Sequence, residues 1–337
     1  MTKILIVGAG LSGAVIARMC AEKGYEVSII EKRDHIGGNC FDYLSKNKIL
    51  IHKYGPHLFH TSNECVMNFL KRFSDFVDYK HKVKAMLNDG SLVTMPVNRE
   101  TKRIVGEENI LNVLFVPYTR KMWGMDPSQI NRTVLNRVKI RDDDNEYYFP
   151  DDLFQCMPSD GYHQMFKRML QHNNISVKLG LEFNKKMEEE YDHVFNSMAI
   201  DEYYDYCYGV LPYRSIKFHE YTIPVPKLLP VSTVNFTHAG KYTRVTEWKN
   251  IGNCKIEPTN AELTTLTVEE PCDFKDNNFE RYYPVIDSTG KNNEIYERYR
   301  TIENNKTTFI GRTGLYKYLD MDDAVAESMK QANEFLC

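Results

Sequence analysis

IVGAGLSGAVIARMCAEKGYEVSIIEKRDHIGGN, running from Ile6 to Asn39, is the stretch on which the fold turns. From Ile4 to Val7 the chain is apolar at every position, which predicts a parallel strand buried on both faces. Gly8, Gly10 and Gly13 follow in the spacing G-x-G-x-x-G, around Ser12. The first glycine allows a tight turn, the second lets backbone approach a pyrophosphate, and the third lets helix pack on strand. Val15, Ile16, Met19 and Cys20 then form a helical stripe, and Gly24 is its stop. Val27 to Ile30 is the second strand. Glu31 closes it, 23 residues after Gly8, where a carboxylate meets a ribose hydroxyl. Strand, helix, strand and acid in register predict a Rossmann-like dinucleotide-binding domain in an α/β chain. A glycine-rich helix start without a ligand would not need Glu31 at that distance.

The second glycine pair, Gly37-Gly38, is not needed to hold NAD. FAD is bound extended, and its chain passes close to backbone a second time. Placed just after the ribose-binding carboxylate, the pair resembles the extended fingerprint of the glutathione-reductase-like flavoproteins. That branch holds amine oxidases, phytoene desaturases and sugar-nucleotide mutases, and the resemblance selects FAD.

The rest of the composition narrows the field. The 337 residues allow two or three domains at roughly 100–200 residues each. A net charge of −3 without a basic block excludes the electrostatic footprint of a nucleic-acid reader. Anionic ligands must therefore be met by a few local arginines. Eight scattered cysteines with no CxxC pair argue against zinc and against a disulfide framework, and fit a reducing, cytoplasmic setting. The apolar run at Ile4 feeds straight into the glycine fingerprint, so it is no signal peptide. Three glycines break it before the ~20 residues a bilayer span needs. His52, His57 and His60 do not share a helical face, and Gly55-Pro56 breaks any helix between them. They are expected in a turn, without a metal.

From Ile51-His52-Lys53-Tyr54-Gly55-Pro56-His57-Leu58-Phe59-His60-Thr61 onward the chain resembles the UDP-galactopyranose mutase family. Tyr118 to Gly124 resembles the family's mobile-loop motif. Asn136 to Arg141, followed by Tyr147-Tyr148-Phe149, resembles its active-site segment, which continues through Gln155, Pro158, Gly161 and Tyr162. Asp201 to Tyr208, Tyr213-Arg214-Ser215, Asn235-Phe236-Thr237 and Tyr242-Thr243-Arg244 fit in the same order. Tyr282 to Val285, Gly311-Arg312 and Tyr316 to Met321 complete a match that touches nearly the whole chain. Three departures stand out. The block between Met95-Pro96 and Val105-Gly106-Glu107 is much shorter than in the family's bacterial members. Leu114 stands where an aromatic is usual beside the uracil, and Asn196-Ser197 replaces a usual Thr-Gly near the flavin.

The resemblance implies that UDP-galactopyranose and UDP-galactofuranose interconvert with no net redox change, through an N5 flavin–sugar adduct on reduced FAD. An external reductant such as NAD(P)H would keep the flavin working. A departing diphosphate needs fixed positive charge, and arginine grips phosphate with two donors at once. Arg137 and Arg244 match the family's diphosphate arginines, Arg137 moving with a loop and Arg244 fixed on a sheet. Arg141, on the same face as Arg137 if that stretch is helical, is a weaker candidate. Tyrosine is abundant, at 22 residues, so only motif position singles out Tyr148, Tyr283 and Tyr318 as neutral donors to the phosphates. Phe115 and Tyr118 match the uracil stack. Trp123, expected at a loop tip, Asn235 and Arg312 complete the substrate set. For FAD the resemblance implies Gly8, Gly10, Ser12, Gly13, Glu31, Lys32, Gly38, Asn39, His57, Leu58, Gly311, Arg312, Asp320 and Met321. Asp320 would cap a helix over Ala324 to Phe335 whose dipole faces the flavin pyrophosphate or its N1–O2 edge.

The expected architecture is a discontinuous FAD domain (1–80, 174–214 and 298–337) and a reduced helical domain with the mobile loop (98–137). An antiparallel-sheet substrate domain (81–97, 138–173 and 215–297) completes it. The shortened helical domain predicts a monomer, or a dimer on an unfamiliar face. Two alternatives stay open at this point. One is an FAD oxidoreductase of the amine oxidase or desaturase type, the other a GDP-dissociation-inhibitor-like binding protein that does no flavin chemistry.

Overall fold

The computed structural model describes residues 2–132, 139–251 and 256–337. Its organising layer is a five-stranded parallel sheet in the order Ile175–Leu179, Glu26–Glu31, Lys3–Val7, His193–Asn196, Thr307–Phe309. The central strand is buried from Ile4 to Val7, as an all-apolar run between two covered faces should be. Val7 lies in register with Ile30 on one side and Asn196 on the other. The crevice at the carboxyl ends of these strands is where such sheets take ligands. Helix Leu11–Glu22 crosses the sheet on a face of Ala14, Val15, Ile16, Ala17 and Ala21. Those small side chains let Met321–Leu336 and Tyr162–Leu170 pack closely against it. Met321–Leu336 begins three residues before the expected start, because Asp320 and Asp323 form a capping box there.

The second layer is a seven-stranded sheet in the order Tyr283–Pro284, Tyr213–Ile223, Thr264–Asp273, Arg244–Glu247, Thr233–Phe236, Val83–Met86, Leu92–Met95. It departs from the expected antiparallel sheet at one place: Thr233–Phe236 pairs parallel with Val83–Met86. The Val83–Met86/Leu92–Met95 hairpin comes from far upstream and adds to the edge as a unit. Phe59–Thr61, Phe154–Pro158 and Phe76–Asp78 form a small third sheet.

The helical segment is short. Asn98 caps Arg99–Val105 by accepting from Thr101 N, and Gly106, at φ 81°, ends it. A π-helix, Leu111–Phe115, runs into Val116–Trp123, which stops at Gly124 in the left-handed region. One expectation changes here, and a tie to the neighbouring sheet comes to light. Trp123 is not at a loop tip but in the last turn of that helix, half-buried against Tyr283 and Tyr318. Nor is this helix free-standing. Lys121 Nζ donates to the carbonyls of Phe236, His238 and Tyr242 at 2.7, 3.0 and 2.9 Å. Arg214 Nε donates to Met122 O at 2.9 Å. Together they tie the helix to the sheet that carries Asn235 and Arg244. Replacing Lys121 by Met is expected to raise KM for the nucleotide sugar about tenfold with FAD retained, since charged hydrogen bonds are worth roughly 1.5–3 kcal/mol each. Arginine should rescue poorly, because a planar fork cannot reproduce an ammonium's three directions. Steady-state kinetics check both, and an unchanged KM in Lys121→Met would contradict the tie.

Candidate active site

The two glycine clusters of the opening stretch meet each other. A Cβ built on Gly38 would stand 2.8 Å from Gly10 Cα, and Gly37 N donates to Ala9 O at 2.8 Å. Gly38 is therefore glycine because two backbones touch, a reason not visible in the motif. A Cβ on Gly13 would lie 2.1 Å from Gly8 O, and one on Gly8 would lie 2.1 Å from Ser197 Oγ. The Asn196-Ser197 departure thus has a physical consequence: the Ser197 hydroxyl, bonded to Val7 O at 2.7 Å, fills the space beside Gly8. Ser12 and Gly311 adjoin the same place, since a Cβ on Gly311 would meet Ser12 Oγ at 3.3 Å. Glu31 is buried and accepts from Ala9 N at 2.8 Å and Arg33 N at 2.9 Å. Arg33, absent from the expected set, donates to Asn39 Oδ1 at 3.0 Å and to Glu280 at 2.7 Å. Lys32 is exposed and turned to Glu280 at 3.5 Å.

These features suit a dinucleotide. Helix Leu11–Glu22 has no side-chain cap and no acid in its first turn, leaving its N–H groups for an anion. Asn196 Nδ2, at the strand end beside Val7, is buried without a partner among the described residues.

Next to this groove lies a cavity of about 230 Å³ between the two large sheets. His57, Leu58, Asp320 and Met321 line it on the side of the parallel sheet. Phe115, Tyr118, Tyr148, Asn235, Arg244, Tyr283, Arg312 and Tyr318 line the rest. Asn235 and Arg244 are cross-strand neighbours, which aims both at one face. Arg244 Nε lies 2.7 Å from Glu269 Oε2, and Glu269 is wholly enclosed. Burial pushes the Glu269 carboxyl up, and Arg244 opposes that shift. Glu269 Oε1 has no donor among the described residues, and Gly55 leaves it room: a Cβ there would stand 2.8 Å away. Tyr283 and Tyr318 stack at 5.2 Å, with the Arg312 guanidinium over both rings. Arg312 Nη2 is held by Leu319 O at 2.6 Å. Burial raises the phenols of Tyr118, Tyr282 and Tyr283, so they are neutral donors.

Trp123 stands behind Tyr283 and Tyr318, and does not line the cavity. Arg137 lies outside the described residues. Arg141 is spent on the local backbone, donating to Tyr147 O at 2.9 Å and Asn145 O at 2.7 Å. Its flanking residues Lys139 and Ile140 are not helical, which removes the reason for placing it beside Arg137. Leu114 is buried with Val83, Ala85 and Met95, making an apolar end to the cavity.

The three histidines of the turn are satisfied one by one. His52 Nδ1 accepts from His57 N at 3.0 Å, His57 Nδ1 donates to Gly55 O at 2.9 Å, and His60 Nδ1 donates to Asp152 at 2.8 Å. His60 and Phe149 line the cavity too, as does His81, for which the sequence held no signal. Burial pushes both His52 and His81 down to about 3. Both are bases whose folded pKa is lowered, so between roughly pH 6.5 and 3 the unfolded chain binds more protons. Stability is then complete above pH 6.5 and falls with acid by about 1.4 kcal/mol per pH unit per histidine. Urea midpoints at pH 7.5, 6 and 5 should show this slope, reduced by about one proton in His81→Gln. An unchanged slope in that variant would contradict a buried neutral His81.

Sequence comparisons agree with this geometry. The family model described as UDP-galactopyranose mutase matches residues 113–318, and that of an NAD(P)-binding Rossmann-like domain matches residues 6–73. A Klebsiella pneumoniae protein described as a probable UDP-galactopyranose mutase is 35% identical, over 99% of this chain and 94% of that protein. That alignment has 373 positions against 337 residues here, so at least 36 (373 − 337) are gaps in this chain. An Escherichia coli dTDP-fucopyranose mutase is 34% identical over 100% of this chain and 99% of its own length. A solved structure of reduced UDP-galactopyranose mutase superposes with a TM-score of 0.74 at 16% identity, covering 100% of this chain and 96% of that one. No helix among the described residues is long and apolar enough to cross a membrane. The chain belongs to the UDP-galactopyranose mutase family and is an isomerase.

Proposed function

We propose that the protein interconverts UDP-galactopyranose and UDP-galactofuranose, using FAD in its reduced form. The observation that carries this reading is the cavity in which Arg244 and Asn235 share a wall with Tyr148, Tyr283 and Tyr318. That cavity opens beside the glycine-built dinucleotide groove. Gly8, Gly10, Ser12, Gly13, Glu31, Gly38 and Asn39 would hold the adenosine and pyrophosphate of FAD. His57, Leu58, Gly311, Asp320 and Met321 would border its ring. Bound and reduced, FAD supplies the covalent chemistry of ring contraction.

The protein's own part is positioning and charge. Phe115 and Tyr118 offer aromatic faces to the base. Arg244 grips the diphosphate, which must be held as it leaves the anomeric carbon and then returned. Arg137 is its partner in this reading. Glu269 occupies Arg244 Nε and so leaves the two terminal amino groups for phosphate oxygens. The buried tyrosines add neutral donors, which strengthen as charge gathers on the leaving group. Enclosure keeps water from the open-chain sugar.

The dTDP-fucopyranose mutase, similar over its whole length, supports a second reading in which the substrate is a dTDP-6-deoxyhexose. The apolar end formed by Val83, Ala85, Met95 and Leu114 has the chemistry to receive a thymine methyl. Parallel turnover of UDP-galactopyranose and dTDP-fucopyranose by reduced enzyme separates them: a higher kcat/KM for the thymidine nucleotide would overturn the first reading.

A further inference from the structure

A second cavity, of about 200 Å³, shares no lining residue with the first. Ile49, Leu50, Met157, Tyr162 and Trp248 wall it with apolar and aromatic surface. A dry cavity of roughly 150 Å³ takes a benzene ring, so this one has room for one ring or two fused rings. Its polar groups are mostly committed. Asp42 is buried, and its carboxylate accepts from Tyr162 N at 2.6 Å and His163 N at 2.8 Å at the start of helix Tyr162–Leu170. Lys249 Nζ donates to Ala261 O at 2.7 Å and Leu263 O at 3.0 Å. Lys48 is exposed, where an ion pair gains little. His52 is different. It is 2% exposed, and its bond from His57 N at 3.0 Å satisfies only Nδ1. A backbone N–H can only donate, so Nδ1 carries no proton. Burial keeps the ring neutral at pH 7, which puts its proton on Nε2. That nitrogen has no hydrogen-bond partner among the described residues, and it is the one left for the cavity that the ring lines. A buried N–H without an acceptor is destabilising, and an occupant that accepts from it removes the penalty.

We propose that this cavity is a second small-molecule site, taking a neutral, flat heteroaromatic ring whose edge nitrogen or carbonyl accepts from His52 Nε2–H. The Trp248 and Tyr162 rings stand 5.0 and 5.5 Å from the imidazole, one tilted and one edge-on, so a flat ligand meets ring faces and edges on several sides. Asp42 sets the charge. Burial lifts its carboxyl only to about 6, so at pH 7.5 it is an anion, and both its oxygens already hold backbone donors. A carboxylate ligand would meet this anion at close range. A ring with a donor at its edge in place of the acceptor would set two N–H groups against each other. The site goes beyond the mutase reading and does not rest on it, since none of its residues is assigned to FAD or to the nucleotide sugar.

The test uses the full chain as purified, with nitrogen-15-labelled histidine, and three bicyclic probes: quinoline, indole and quinoline-4-carboxylate. Quinoline offers a neutral acceptor, indole a donor in its place, and the third an acceptor with a negative charge. The His52 resonances are assigned by their absence in His52→Asn. At pH 7.5 His52 should show protonated Nε2 and unprotonated Nδ1. Quinoline should move the Nε2 shift and saturate with a Kd on the order of 0.1–1 mM, the range open to a ligand of its size. Indole and the carboxylate should bind about tenfold more weakly or not at all, as for one lost hydrogen bond. His52→Asn, whose side-chain oxygen can accept from the His57 amide, should weaken quinoline by a similar factor. Should that variant fail to fold, the three probes on the unmodified protein decide the matter alone. A proton on His52 Nδ1, indole binding as tightly as quinoline, or no saturable binding of quinoline overturns the proposal. Displacement of quinoline by UDP overturns it too, by placing the probe in the first cavity.

Discussion

Arg244→Ala is expected to lower kcat about a hundredfold or more while FAD stays bound, because a charge-assisted contact that strengthens in the transition state is worth ~3 kcal/mol. The same change leaves Glu269 enclosed without its cation, a loss of roughly 3–5 kcal/mol of stability. The two effects separate in a double variant. Arg244→Ala with Glu269→Gln removes the buried charge, so stability should recover and kcat should not. Arg244→Lys should rescue activity poorly, since an ammonium cannot hold Glu269 and two phosphate oxygens in one plane. Thermal unfolding and steady-state kinetics on the three variants decide the matter. Recovery of kcat in the double variant would make Arg244 a structural cation rather than a diphosphate ligand.

The second large effect belongs to the glycine pair. Gly38→Ala places a Cβ 2.8 Å from Gly10 Cα at a φ of 55°, so two backbones must separate. Purified protein should lack flavin absorbance. Gly24→Ala is the control. It has a φ of 87° but nothing within 4 Å of the added Cβ, and should cost only the strain of that backbone, about 1–2 kcal/mol, with FAD retained. Gly10→Ala is more telling. Its Cβ would meet only Gly38 Cα at an ordinary 3.6 Å, so the chain itself tolerates it. Loss of FAD from a normally folded Gly10→Ala would report the cofactor's own approach to that backbone. Gly10→Ala with full flavin content would contradict a pyrophosphate at that position.

What the sequence made legible follows a physical divide. Features set by neighbours along the chain could be read: the buried strand at Ile4, the helix after Gly10, Glu31 closing the second strand, the cap at Asp320. The resemblance also brought together side chains from distant strands, so that Asn235, Arg244, Tyr283 and Tyr318 do line one cavity. Features set by pairing across the fold could not be read. Lys121 looks like any surface lysine until the chain folds and three carbonyls from 236–242 surround its ammonium. Trp123 was misplaced for the same reason, since the tyrosines that cover it come from the far end of the chain. His81 carries no local signature, because Ser232, which meets its ring, lies far along the chain. Arg141 was a candidate only if its stretch were helical, and Lys139 and Ile140 before it are not.

In the proposed reading the protein works as a sugar-nucleotide mutase only while its flavin is reduced. Incubating the flavin-loaded protein with UDP-galactofuranose, with and without dithionite, and separating the products by chromatography tests it most directly. Conversion to UDP-galactopyranose only in the reduced sample is the expected result. Equal conversion by strictly oxidised enzyme, or none in either sample, would contradict it.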